Sequence, residues 1–221
     1  MKVQKLTLFR GSPPTNSYVW SPFVTKLEAR LRLASLPYTL GGGSPLNAPR
    51  GKIPYVDIDG QMMGDSTFII KDLVQRGVIK QNETATPVQK AQDLAIRALM
   101  EEKVYFYGGI EKWSDNYQTM IAGVLAPVPW FIRWLIGMMA YRKNMRTFQG
   151  QGTGLLSGEE LATLRAEAWE AVEALLTEAK KTTPPKDTDS KDPFWVLGGE
   201  EPTEADATLY GFVASALVCD A

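Results

Sequence analysis

The sequence contains no histidine at all, and its one cysteine is Cys219. Without imidazole the usual general base is missing, along with the commonest metal ligand and every serine or cysteine triad built on histidine. A lone cysteine excludes an internal disulfide framework and a cysteine zinc cluster, and it fits a reducing compartment. No metal centre is therefore expected, and any chemistry falls to hydroxyls, carboxylates, amines, backbone dipoles or a borrowed cofactor. An excess of one charge is also missing: 24 lysines and arginines face 25 aspartates and glutamates. No global field recruits nucleic acid. The opening residues Met1 to Leu6 lack the long apolar region of a signal peptide, so the expected location is cytoplasmic.

What is present suits a folded chain of 221 residues with 44% hydrophobic side chains, enough for one large core or two modest ones. Lys5 to Phe9 reads as a short strand that ends in a turn-rich loop. Ser21-Pro22 starts a helix in which Phe23, Val24, Leu27, Leu31, Ala34 and Leu36 share a face, leaving Lys26, Glu28, Arg30 and Arg32 to point outward. Pro37 to Leu40 forms a second strand. Tyr55 to Ile58 and Gln61 to Met63 form a hairpin through Asp59-Gly60, and Asp65-Ser66 opens a helix that Gly77 ends. The order is β-α-β, then β-β-α. Beyond the Gln81 to Pro87 linker the pattern turns helical, with segments from Val88 to about Gly108 and from Gly158 to Lys181. Thr182 to Pro193 is expected to be a mobile loop. These shifts predict an α/β thioredoxin-like N-terminal domain over 1–80 and an all-α C-terminal domain over 87–221.

Two motifs bear on function. In Lys52-Ile53-Pro54-Tyr55-Val56 a proline enters a strand; such a proline often marks an edge, but in thioredoxin-like folds a cis proline here turns the preceding backbone toward the cleft. In Gly64-Asp65-Ser66 the acid and hydroxyl suit a plain helix cap, and equally a helix terminus that binds a carboxylate while Asp65 pairs with an amino group. Thr203 and Asp206 form a capping box for a helix whose core face is Leu209, Phe212, Val213, Ala216 and Leu217.

Taken in order, these features resemble the glutathione-transferase superfamily. Leu8-Phe9-Arg10-Gly11, Ser21-Pro22-Phe23, Gly51 to Val56, Asp65 to Ile70, Gln149-Gly150-Gln151-Gly152 and Pro202 to Thr208 are similar to its failed-axon-connections and metaxin-related branch. The resemblance implies glutathione as co-substrate, with Lys52, Ile53 and Pro54 at its cysteinyl backbone and Asp65 and Ser66 at its γ-glutamyl end. Its sulfur would lie near the start of the first helix. There Ser21 could stabilise the thiolate, with Ser17 and Tyr18 as rival hydroxyls; Ser21 is equally a plain helix cap.

The stretch Ile121 to Tyr141 approaches a membrane span in length but is interrupted by Pro127, Pro129 and Arg133, so no transmembrane helix is expected. Core packing or a pocket wall for an apolar acceptor is the first expectation, and a membrane-surface or partner face with a basic edge the second. Tyr105, Tyr107 and Trp113 are candidate lining of the same pocket, or core. The chain ends about one helix after the capping box, short of the further helices common in such proteins. The functional expectation is a detoxification-type transferase that joins glutathione to a small apolar electrophile, with homodimerisation through the N-terminal domain. The alternatives are a metaxin-like non-catalytic adaptor in peripheral contact with a membrane or bound to a protein, and a specialised biosynthetic enzyme on the same fold.

Overall fold

Alternation along the first strand sets the sheet. In β1 (Leu6–Phe9) Leu6 and Leu8 are buried while Thr7 and Phe9 face the other side. The computed structural model describes residues 3–11, 17–80, 82–83, 85–126, 128–182 and 193–219. Strand order is β2-β1-β3-β4: β2 (Thr39–Gly41) is parallel to β1, and β3 (Tyr55–Ile58) is antiparallel to both β1 and β4 (Gln61–Gly64). Asp59 and Gly60 both take positive φ in the β3–β4 turn, the conformation a two-residue hairpin requires. Helices α1 (Pro22–Leu33) and α2 (Ser66–Gln75) complete the β-α-β, β-β-α order expected from the sequence. Leu27, Leu31, Ile69 and Leu73 meet Leu8, Val56 and Ile58 in one core.

The helical part comprises α3 (Pro87–Leu99), α4 (Tyr105–Ile110), α5 (Tyr117–Val124), α6 (Trp130–Gln151), α7 (Gly158–Thr182) and α8 (Glu204–Val218). The chain forms two compact units: Met1–Arg97 with Glu178–Cys219, and Ala98–Thr177 with Asp220–Ala221. The loop expected over Thr182 to Pro193 falls, at 183–192, outside the described residues.

In the first unit α8 lies directly on α1. Ala207, Gly211 and Ser215 recur every four residues, and this stripe of small side chains lets the backbones meet. A Cβ placed on Gly211 would sit 2.6 Å from both the Lys26 nitrogen and the Pro22 carbonyl oxygen. The consequence corrects the sequence expectation for α1: Lys26, Glu28 and Arg30 are 1%, 5% and 6% exposed, and only Arg32 of the four faces solvent. Covered charges require partners. Arg30 donates to Glu204 Oε1 at 2.6 Å and to the Lys80 carbonyl at 2.7 Å, Arg10 Nε lies 3.5 Å from Glu28 Oε1, and Lys26 Nζ donates to Thr67 Oγ1 at 3.3 Å. The first turn of α8 is pinned as well. Asp93 accepts from the Ala205 amide at 2.7 Å, and Asp206 accepts from the amides of Val196 and Thr203 at 2.7 and 2.8 Å. Of the core face expected for α8, Leu209 and Phe212 are buried but Ala216 and Leu217 are exposed, because the last turn extends past α1's cover.

Burial raises the Glu28 carboxyl above its ordinary value, against the lowering influence of Arg10 and Arg32. The folded chain therefore holds this proton to higher pH than the unfolded chain does. The contribution to stability is greatest at acid pH and declines as pH rises from about 4.5 through the raised folded value. Glu28→Gln, which resembles the protonated form, is expected to gain on the wild type over that window in urea unfolding. A constant stability difference across it would contradict the assignment.

In the second unit the helical path from Ala98 to Asp115 contains two π-helical segments, Met100–Val104 and Glu111–Asp115, flanking α4. Gly137 of α6 meets Ile121 and Tyr117 of α5, where a Cβ would lie 2.4 Å from the Ile121 side chain. The stretch Ile121 to Tyr141 is divided between α5 and α6, and its expected core role fails at the start of α6: Trp130, Phe131 and Trp134 are 81%, 68% and 70% exposed. Among the described residues no helix is long and apolar enough to cross a membrane.

Candidate active site

The site is built around the N-terminus of α2. Asp65 is its N-cap, with φ 82° and ψ 115°. A non-glycine residue in this region costs on the order of 1–3 kcal/mol, and such residues concentrate at functional sites. Its Oδ1 accepts from the Thr67 and Phe68 amides at 3.0 and 3.3 Å, and Oδ2 faces Arg50 Nη1 at 3.9 Å. Arg50 in turn lies over the Phe68 ring, 4.6 Å from its centroid. Ser66, first residue of the helix, is 3% exposed. Lys26 reaches Thr67 from α1. Residues 65–67 thus combine one carboxylate, two neighbouring cations and the positive end of a helix dipole, an arrangement suited to a zwitterionic group. Arg50 and Lys26 were absent from the sequence candidates. Lys26 follows a solvent-facing helical pattern and Arg50 sits in a loop without periodicity, so neither pattern points to a site; Lys26 enters only as one of the residues, with Ser21-Pro22-Phe23 and Glu28, that resemble the family branch.

The Ile53–Pro54 peptide is cis, with Pro54 buried at the entry to β3 and Lys52 exposed. Ile53 packs against Gly11, which follows β1 with φ 77° and donates to the Gly42 carbonyl; a Cβ at Gly11 would lie 2.5 Å from Ile53 Cδ1. Glycine there serves both the turn and the close approach.

Ser21 precedes α1 in an extended conformation, φ −83° and ψ 112°, and makes no side-chain hydrogen bond to the helix. The rival hydroxyls are differently placed. The Tyr18 hydroxyl is hydrogen-bonded to that of Tyr210 on α8, and this bond is the main reason the Tyr210 phenol is raised. Ser17 is exposed, and its carbonyl accepts from the Arg10 guanidinium. Ser215 on α8 donates to the Val19 carbonyl at 3.4 Å, so α8 holds the segment that carries all three candidates. Tyr210 was missed because hydrophobic spacing marks only the core face of α8.

The remaining candidates belong to the second unit. Tyr105 and Tyr107 are in α4, 39% and 9% exposed, and Trp113 is half-buried in the second π-helical segment. Tyr105 meets Phe106 edge to face, and Phe106 meets Phe148 of α6. A π segment rotates the side chains that follow it relative to an unbroken α-helix, and such segments recur at functional sites.

Residues 22–120 match the glutathione S-transferase N-terminal domain family. The chain is 32% identical over 151 residues to isoprene-epoxide–glutathione S-transferase of Rhodococcus sp. (strain AD45), covering 64% of this chain and 63% of that protein. It is 23% identical over 208 residues to Failed axon connections of Drosophila melanogaster, covering 88% of this chain and 46% of the relative. The chain thus spans less than two thirds of each of these relatives. Among solved structures, a Tau class glutathione S-transferase from mango, Mangifera indica, superposes with a TM-score of 0.53 at 15% identity, over 96% of this chain and 76% of the other. A beta-etherase from Sphingobium sp. gives 0.53 at 16% identity, over 95% and 83%. These two likenesses concern the fold. With the β2-β1-β3-β4 sheet, its two helices and the helical remainder, the chain has a glutathione S-transferase-like fold, and its sequence is similar to that superfamily over residues 22–120 and in the Rhodococcus relative.

Proposed function

We infer that the chain binds glutathione and joins its sulfur to a small apolar electrophile. The observation that carries this reading is the α2 N-terminus. A γ-glutamyl end presents a carboxylate and an ammonium together; Ser66, Arg50 and the helix dipole suit the first, and Asp65 Oδ2 suits the second. Lys52, Ile53 and Pro54 would lie along the cysteinyl backbone. Ser21 would donate its hydroxyl to the sulfur, whose proton leaves to solvent. The thiolate then attacks an electrophilic carbon. For an epoxide, suggested by the name of the Rhodococcus relative, the C–S bond forms as the ring C–O bond breaks, and the alkoxide takes a proton from water. Tyr105, Tyr107 and Trp113 would offer the apolar acceptor its wall. Domains over 1–80 and 87–221 and a homodimer belong to the same reading.

Isothermal titration with millimolar glutathione tests it, and absence of heat and of thermal stabilisation would overturn it. Asp65→Asn sharpens the test. Asparagine caps helices as well as aspartate and tolerates positive φ, so stability is expected to hold, whereas loss of the charge weakens glutathione binding about tenfold. Binding at wild-type strength would remove Asp65 from the site.

A second reading, a non-catalytic transferase-like adaptor, is favoured by the exposed aromatic start of α6. Glutathione binding with no turnover of any epoxide or activated halide would support it over the enzyme.

A further inference from the structure

Between Asp115 and Glu159 the sequence has no aspartate or glutamate, yet Arg133, Arg142, Lys143 and Arg146 all fall there. In a chain of nearly balanced charge this segregation leaves α6 locally basic. The same helix begins with its most exposed apolar side chains: Trp130, Phe131, Trp134 and Met139 are 63–81% exposed, and Ile132, Leu135 and Ile136 are 36–48% exposed. So large an apolar end has an occupant.

The geometry says which kind. At about 100° per residue, positions 130 to 136 cover about 240° of the helix circumference. A protein groove, or the matching face of a second copy, covers a stripe of roughly 100°. Apolar exposure on most sides fits a medium that is the same on most sides, which is the interior edge of a lipid leaflet. Tryptophan favours that boundary, having a large apolar ring with one polar edge. The charges follow in the right order: Arg142 comes about 4.5 Å along the axis after Met139, where the apolar stretch ends. Arg133, inside the apolar stretch, has its guanidinium turned back onto the chain, donating to the carbonyls of Val128 at 3.0 Å and Ala126 at 3.2 Å. A second copy on this face would instead bring two basic helices together.

We propose that the first turns of α6 enter an anionic membrane surface, with Trp130, Phe131, Trp134 and Met139 reaching the acyl boundary and Arg142, Lys143 and Arg146 meeting lipid phosphates. The helix is a shallow anchor in one leaflet, since its second half is charged and polar and, among the described residues, no helix is long and apolar enough to cross. The anchor is independent of the glutathione site and operates without glutathione.

The test is sedimentation of the full chain with phosphatidylcholine vesicles, with and without phosphatidylserine at about a third of the lipid. Phosphatidylserine vesicles are expected to pellet the protein and to shift tryptophan emission to the blue. Arg142→Gln, Lys143→Gln and Arg146→Gln together should weaken that binding about a hundredfold, at about fivefold per charge. Phe131→Ser with Trp134→Ser should abolish it while leaving the circular dichroism and melting temperature unchanged, because both residues are exposed. The proposal fails if the wild type stays in the supernatant with phosphatidylserine vesicles, or if the double variant pellets as well as the wild type. It also fails if light scattering shows a dimer that the double variant splits without any lipid binding, which would assign the face to a second copy.

Discussion

Ser21→Ala is expected to lower kcat/KM for glutathione conjugation about a hundredfold while leaving the stability of the chain within about 0.5 kcal/mol of wild type. The two halves of this result separate a chemical role from a structural one. A serine before a helix ordinarily accepts a hydrogen bond from the second or third helical amide, and losing that bond costs about 1 kcal/mol. Ser21 makes no such bond, so alanine removes nothing from α1. What it removes is a hydroxyl beside the positive end of a helix dipole, where a bound thiolate would gain both a donor and a favourable field. With no histidine anywhere in the chain, no imidazole can compensate. The thiolate absorbance of bound glutathione, followed against pH, reads the effect directly: in the wild type the thiol should ionise below its free value of about 8.5, and in the alanine variant it should move back toward it. Destabilisation by about 1 kcal/mol with normal kinetics would make Ser21 a cap and return the catalytic role to another group. The Tyr18 hydroxyl could serve with Tyr210 as the donor in their shared bond, which leaves the Tyr18 proton for the sulfur.

The sheet and its two helices were legible because their signals are local. Alternation in Leu6 to Phe9, the Asp59-Gly60 turn, Ser21-Pro22 and Asp65-Ser66 each act over a few residues, and each is found where the sequence puts it. The surroundings of α1 were not legible for the same reason. Lys26, Glu28 and Arg30 lie opposite an apolar stripe, a pattern that means solvent unless another element covers it. The element that does so is about 180 residues away in the chain, and its signal was the spacing of Ala207, Gly211 and Ser215 rather than any hydrophobic run. At the candidate site the same division holds. Asp65 and Ser66 are conspicuous as a cap, while Arg50 and Lys26, which give the site its positive charge, arrive from a loop and from a buried helical face. The π-helical segments around α4 had no sequence counterpart, because inserting one residue into a helical turn barely alters hydrophobic spacing.

The closeness of α8 to α1 leads to the largest expected loss of stability, at Gly211→Ala. In most helices this change is favourable: alanine gains about 1 kcal/mol in helix propensity over glycine and restricts the unfolded chain. At Gly211 the new methyl carbon would meet the Lys26 nitrogen and the Pro22 carbonyl oxygen at 2.6 Å and Lys26 Cα at 2.8 Å. All three are backbone atoms of a helix held against the sheet, so no side chain can rotate away, and α8 itself must retreat. Retreat loosens the Arg30–Glu204 pair, weakens the hold of Ser215 on Val19 and admits water beside Lys26 and Glu28. A net loss of about 3 kcal/mol is expected in urea unfolding, at the upper end for one inserted methyl group. Gly108→Ala in α4 supplies the contrast, since nothing lies within 4 Å of its added carbon. There the propensity gain acts alone, and stability should rise by about 0.5–1 kcal/mol. If both changes proved stabilising, α8 could not lie on α1 at this distance. The segment from Ser17 to Ser21 would then lose the support that places its hydroxyls at the helix start.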